Sequence, residues 1–251
     1  MRIIVITIAT LFVFFIGLFT VKFWGKGQVY SDYHHAMLIQ QSTPIEYIKP
    51  TYEHLKEVID SDKNIYLDVT VTFDQKLVIP KRKWLATEKP IHLFNYDEIK
   101  NDVLLVTDLK AQLLTKKIIF NMVDNARAIH ETFMYDMQKM GLEKGQNFIV
   151  TSQFEAPLKA LKEIAPALVY GSTQPEILKI VAMQSMYLLE ATTLRADVII
   201  HPLKIHKHNF FNEEILAEMK RRYKKLIVGP INQDELPEAQ RLQPLGVILN
   251  Y

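Results

Sequence analysis

Short strand-like runs, most of them apolar, alternate with amphipathic stretches along most of this chain, and that rhythm limits the folds open to it. The runs fall at residues 28–34, 64–79, 117–123, 147–151, 167–170, 197–200, 225–228 and 246–249. Between them lie stretches with helical spacing at 50–60, 124–140, 155–164, 175–190, 212–223 and 234–242. Strands that are apolar throughout, rather than on alternate positions, are buried on both faces, as in a parallel sheet covered by helices. Eight such strands closing on themselves predict an α/β fold of the (β/α)₈ TIM type. An open doubly wound sheet is the other arrangement with this rhythm, but the chain has neither a glycine-rich dinucleotide fingerprint nor a phosphate-binding P-loop. Within the helical stretches, Pro50 and Pro175 suit first turns, Asp124 reads as the cap of the helix through Met140, and Gly141 ends that helix.

The amino terminus breaks the rhythm. Residues 3–21 form one uninterrupted apolar run, preceded by Arg2 and followed by Lys22 and Lys26. Its length suits a bilayer span, and no small-x-small cleavage site follows it. The reading is a single uncleaved membrane anchor over residues 1–27, with Phe23 and Trp24 at the interface, followed by a barrel domain over 28–251. A buried core helix is the alternative, although such helices seldom run so long without a polar face. The flanking cations balance, so orientation rests on the usual behaviour of such anchors, which places the barrel outside the cytoplasm. The chain has no cysteine and hence no disulfide. Thirty Lys and Arg against 28 Asp and Glu leave a net charge of +2, too weak a field to select nucleic acid as partner.

A barrel of this type carries its chemistry at the carboxyl ends of its strands. There the sequence offers His34 and His35 after the first strand, Asp68 within the second, and Lys81, Arg82 and Lys83 beyond it. Asn121 lies in the third, Ser152 after the fourth and His201 at the end of the sixth. Asp68 is a carboxylate in an apolar run, which is costly unless it is paired, hydrogen-bonded or bound to a cation, so it is either structural or part of a site. Lys81, Arg82 and Lys83 have the chemistry to hold a phosphate, or form a solvated loop. His201, His206 and His208 could make a metal cluster of their own.

Taken together, these residues resemble the glycerophosphodiester phosphodiesterases. Asp68-Val69, Thr72 and Asp74 match the spacing of that family's second strand, and Leu77-Val78-Ile79 match the apolar run behind it. Thr151-Ser152-Gln153-Phe154 is similar to its fourth-strand motif, and the run from Gly246 to Asn250 to its last strand. The resemblance implies a phosphoric diester hydrolase tied to lipid metabolism, with Asp68 as a metal ligand, His34 as acid or base, and Ca²⁺ or Mg²⁺ as cofactor if the protein is active. Several positions depart from the pattern. Tyr66 stands where the family has glutamate, Lys81-Arg82 where it has His-Asp, Asn121 where it has a further metal-binding glutamate, and His34-His35-Ala36 where it has His-Arg-Gly. Positioned acid–base groups contribute about 10²–10⁴-fold each, so these losses predict an impaired site retaining phosphodiester or head-group binding, with Lys81, Arg82 and His201 on the ligand. Two alternatives stay open: an active phosphodiesterase with a rearranged site using His34, Asp68 and His201, and an envelope interaction or scaffold protein. The expected partners are the membrane, through residues 3–21, and a phospholipid-derived phosphodiester.

Overall fold

A computed structural model describes residues 2–31, 33–39, 42–81, 89–205 and 208–251. Eight parallel strands close into a barrel in the spatial order β1 (Ile45–Lys49), β2 (Asn64–Val71), β5 (Ile118–Met122), β6 (Phe148–Ser152), β7 (Val169–Thr173), β8 (Val198–His201), β11 (Lys225–Ile231) and β12 (Gly246–Asn250). Closure is made by β12 and β2 pairing to the two sides of β1. The expected TIM-type architecture is therefore present. Strands β3 (Leu77–Pro80) and β4 (Val103–Leu105) extend the sheet antiparallel from β2, and β9 (Lys204–Ile205) pairs with β10 (His208–Asn209) as a separate hairpin. The helices are α1 (Arg2–Gly27), α2 (Leu55–Asp60), α3 (Tyr96–Ile99), α4 (Lys110–Leu113), α5 (Ile129–Met140), α6 (Glu155–Ile164), α7 (Gln174–Ser185), α8 (Glu213–Arg221) and α9 (Leu236–Arg241).

Side chains alternate between two apolar layers, as the pleat of a strand requires. Tyr47, Tyr66, Ile119, Ile149, Val198 and Ile248 fill the lumen. Their strand neighbours, such as Leu67, Phe120, Val150 and Ile199, face the helices, where Phe120, Phe133 and Phe148 meet edge to face.

Three expectations are corrected. The first barrel strand is Ile45–Lys49 rather than residues 28–34. Only 45–49 offers inward Ile45 and Tyr47 with Ile48 facing outward, whereas Met37 and Leu38, on a 3₁₀ turn after the predicted strand, plug the lumen from below. Residues 64–79 form a hairpin, not one strand: β2 ends at Val71, the chain reverses with Gln75 at φ 57°, and β3 returns antiparallel. Asp124 does not cap a helix, because α5 starts at Ile129 and the Asp124 carboxylate turns to the barrel mouth instead.

Lys116 shows how the lower face is tied together. Its buried ammonium donates to the carbonyls of Val58, Ile59 and Ser61 at the end of α2, where helical carbonyls run short of intrahelical partners. Burial holds its pKa below the usual lysine value. Lys116→Met keeps the stem and strands the Ile59 and Ser61 carbonyls, while Val58 keeps the Ser61 hydroxyl, so urea titration should show a loss of about 2–3 kcal/mol.

Candidate functional site

The carboxyl ends of β1, β2 and β5 place three polar side chains in one row across the mouth. Lys49 ends β1, Asp68 faces inward from β2, and Asn121 is its register partner on β5. Asn121 Nδ2 donates to Asp68 Oδ1 at 2.6 Å, and Lys49 Nζ lies 3.5 Å from Asp68 Oδ2. The Lys49 ammonium also sits 5.0 Å above the Tyr66 ring. The carboxylate expected to be costly in an apolar strand is thus compensated by a cation on one oxygen and an amide on the other. Burial, with the Asp68 charge adding to it, raises the pKa of the Tyr52 and Tyr66 hydroxyls, so both stay protonated as donors.

A second cluster stands one step further out. Thr70, two residues beyond Asp68 on the same strand face, donates from Oγ1 to Asp124 Oδ2. Residues so spaced on one face are about 7 Å apart, so the two clusters adjoin. His92 Nδ1 lies 3.4 Å from the same Asp124 oxygen, and the Ala126 amide donates to Oδ1 at 3.1 Å. A histidine oriented by a carboxylate is the arrangement that moves protons near neutral pH.

The other predicted residues lie elsewhere. His34 borders a hollow with Tyr33, Ile39 and Lys225, which begins β11, so it occupies the amino-terminal face, opposite the row containing Asp68. The chain enters the first barrel strand only at Ile45, so His34 precedes that strand instead of ending it. His201 ends β8, which is four strands from β2 in either direction. Its ring packs on Phe210, a member of the outer layer, and Nδ1 is 2.8 Å from the Pro202 carbonyl. A carbonyl only accepts, so Nδ1 carries the proton; burial lowers the pKa and favours the neutral ring. Lys81 lies past β3, donating from its amide to Asp102 and from Nζ to the Asn101 carbonyl at 3.4 Å. Arg82, Lys83 and His206 lie outside the described residues, and His208 stands in the β9–β10 hairpin. Ser152 is structural: its hydroxyl donates to the Met122 carbonyl at 2.8 Å and accepts from the Phe154 amide at 3.0 Å. Asp74 accepts from the Tyr96 amide at 2.8 Å and fastens the hairpin turn. Burial raises its pKa, but bonds from Thr72 and Tyr96 outweigh it and leave the carboxyl below its ordinary value.

Sequence reasoning missed Lys49, His92, Thr70 and Asp124. Asp124 follows the apolar run of β5 directly, which is the strand-end signal that also located Asn121. Lys49 ends a five-residue strand that had been overlooked, and His92 has no local signal at all.

The residues present do not fit a divalent cation of the Ca²⁺ or Mg²⁺ kind. Such ions take about six or more oxygen ligands, usually with more than one carboxylate. Among the described residues no three His, Asp or Glu side chains converge on one point, and the free side of Asp68 faces an ammonium.

The barrel, with its polar row at the carboxyl ends of the strands, belongs to the TIM class of parallel α/β barrels. More particularly, its fold is that of the glycerophosphodiester phosphodiesterases. The glycerophosphoryl diester phosphodiesterase domain of a Mycobacterium tuberculosis protein superposes with a TM-score of 0.62 at 9% identity, covering 83% of this chain and 96% of that one. The glycerophosphodiester phosphodiesterase of Agrobacterium tumefaciens gives 0.59 at 13%, covering 83% and 96%. An Oleispira antarctica phosphodiesterase, solved with its product sn-glycerol-3-phosphate, gives 0.57 at 13%, covering 83% and 93%. No family model matches the chain, and no curated protein matches it in sequence.

Proposed function

We propose that this protein is a membrane-anchored barrel that binds anionic phosphodiesters of phospholipid origin at its mouth and lacks the metal-dependent hydrolysis associated with its fold. The observation that carries this reading is the Lys49 ammonium on Asp68, a fixed cation at the carboxylate where a metal would otherwise be expected. An ammonium, the Asn121 amide and the protonated Tyr52 hydroxyl supply donors for phosphate oxygens. A monovalent, strongly hydrated ammonium is a poor substitute for a divalent ion in stabilising a transferring phosphoryl group, so binding outlasts catalysis. The anchor rests on α1, the helical span Ile4–Gly27, whose most apolar 18 residues have a mean hydropathy of 2.7 and are not buried against the barrel.

The test is an assay of the full chain in detergent with glycerophosphocholine and Ca²⁺, Mg²⁺ or Mn²⁺, beside a titration of the same ligand. Saturable binding in the millimolar range, with hydrolysis no faster in metal than in chelator, is the expected result. Metal-stimulated hydrolysis that disappears in Asp68→Ala would show the reading to be wrong.

A further inference from the structure

The last turn of α1 is seated on the barrel, and its seat fixes which end of the barrel meets the bilayer. Residues Ile4–Val21 project free of the domain, but Gly25 is buried. A Cβ at Gly25 would stand 2.4 Å from the backbone carbonyl of Glu190, so only glycine permits this approach; a Cβ at Gly27 would meet nothing within 4 Å. Lys22 and Lys26 flank Glu190 at 3.6 and 3.8 Å. The Arg221 guanidinium, from the end of α8, caps the carbonyls where α1 stops, reaching Gly25 at 3.3 Å, Lys26 at 3.4 Å and Gln28 at 3.0 Å.

Both seats lie at the amino-terminal face of the strands. In a barrel of this type each helix runs back against its strand, so the ends of α7 and α8, and the 3₁₀ turn Leu189–Ala191, sit opposite the mouth. Apolar and aromatic side chains stand exposed on that face around the seat of α1. Ile164, Met186, Tyr187 and Tyr223, each just at or past the end of a helix, are 54, 54, 70 and 51% exposed, and Ile39 beside the lumen plug is 65% exposed. Lys22, at the exit of α1, lies 6.0 Å from the Tyr187 ring, so this belt is continuous with the end of the apolar helix. Aromatic side chains mixed with lysines are what a membrane–water interface selects.

We infer that the amino-terminal face of the barrel rests on the bilayer that holds α1, and that the mouth with Lys49, Asp68 and Asn121 opens away from it. This rests on α1 being a membrane span. The ligand is then a phosphodiester delivered from the aqueous phase, as a deacylated glycerophosphodiester would be, and not a head group of the lipids around the anchor.

The chain has no cysteine, so single cysteines can carry a fluorophore. Full-length protein labelled at Met186 or Tyr223, or at the mouth-side Phe73 or Leu93, is reconstituted into phosphatidylcholine–phosphatidylglycerol vesicles containing a head-group nitroxide lipid. A five-residue strand rises about 16 Å, beyond contact quenching, so labels at Met186 and Tyr223 should be quenched about twofold or more while those at Phe73 and Leu93 stay near their values in nitroxide-free vesicles. Gly25→Ala should erase the contrast between the two faces and Gly27→Ala should keep it; if Gly25→Ala does not fold, the labelled parent decides alone. Equal quenching at both faces in protein that resists an alkaline wash would overturn the orientation and leave the anchor standing. Protein removed by the wash would overturn the anchor, and the orientation with it.

Discussion

Replacing Arg222 with methionine should lower the stability of this protein by about 3–5 kcal/mol, the usual effect of removing one partner from a buried, hydrogen-bonded ion pair. Arg222 is 2% exposed and Glu218, one turn before it, 5%. The Arg222 Nε meets Glu218 Oε1 at 2.5 Å, while the rest of the guanidinium donates to the carbonyls of Leu189 at 2.9 Å, Glu190 at 3.0 Å and Thr192. Methionine fills the space but leaves the Glu190 and Thr192 carbonyls without the donors Arg222 gave them, and takes one donor each from the Leu189 carbonyl and the Glu218 carboxylate. Arg221 still holds Glu218 at 2.6 and 2.8 Å, so the acid is not orphaned altogether, and Arg222→Lys, keeping charge but losing the planar fork, should fall between the two. The pH dependence identifies the source. Burial raises the Glu218 pKa, but bonds from Arg221 and Arg222 outweigh it and hold the carboxyl below its ordinary value. A depressed carboxyl contributes stability above its unfolded pKa and loses it as pH falls through the folded one. The gap between Arg222→Met and the parent, measured by urea titration, should therefore be full near pH 7 and narrow once the pH falls below the ordinary glutamate range. A gap that stays constant through the acid range would assign the effect to packing alone. The Glu190 carbonyl also lies against Gly25 of α1, so this substitution should loosen the docking of α1 as well.

The barrel was legible in the sequence because a strand buried on both faces announces itself locally: K-I-I-F-N-M-V and G-V-I-L-N need no partner to be recognised. The first strand was not, because I-E-Y-I-K is short and half polar, and its inward Tyr47 and Lys49 make sense only beside Tyr66 and Asp68. That one displacement sent His34 to the mouth, when it stands at the opposite face. Asp68 was legible as a problem, since a carboxylate among Leu67, Val69 and Val71 demands compensation. Its solution was not, because Lys49 and Asn121 come from other strands and join it only when the barrel closes. Asp124 was misread for a different reason: an acid before a helical stretch fits a cap as well as it fits a strand-end site, and only the late start of α5 separates the two. The spacing of Thr72, Asp74 and Ser152 pointed to this fold, and in this chain their bonds fasten turns.

Lys49→Met should separate ligand binding from folding at the mouth. The Lys49 and Asp68 side chains are 33 and 23% exposed, so their attraction is screened and its loss should change stability by no more than about 1 kcal/mol. Binding has a different dependence. Among the described residues Lys49 is the cation paired with Asp68, and a phosphodiester brought there without it meets Asp68 with the Asn121 amide and neutral hydroxyls to offset the repulsion. Loss of a charge-assisted contact of this kind is worth about 1.5–3 kcal/mol, which corresponds to roughly 10- to 100-fold weaker binding of glycerophosphocholine. Asp68→Asn should do the reverse, removing the competing anion and tightening binding while leaving Lys49 free for the ligand. Calorimetric titration of both variants, with melting curves as the control for folding, gives the comparison. If Lys49→Met binds as the parent does, the phosphodiester is held elsewhere on the mouth, and the His92–Asp124 pair one step outward becomes the place to look.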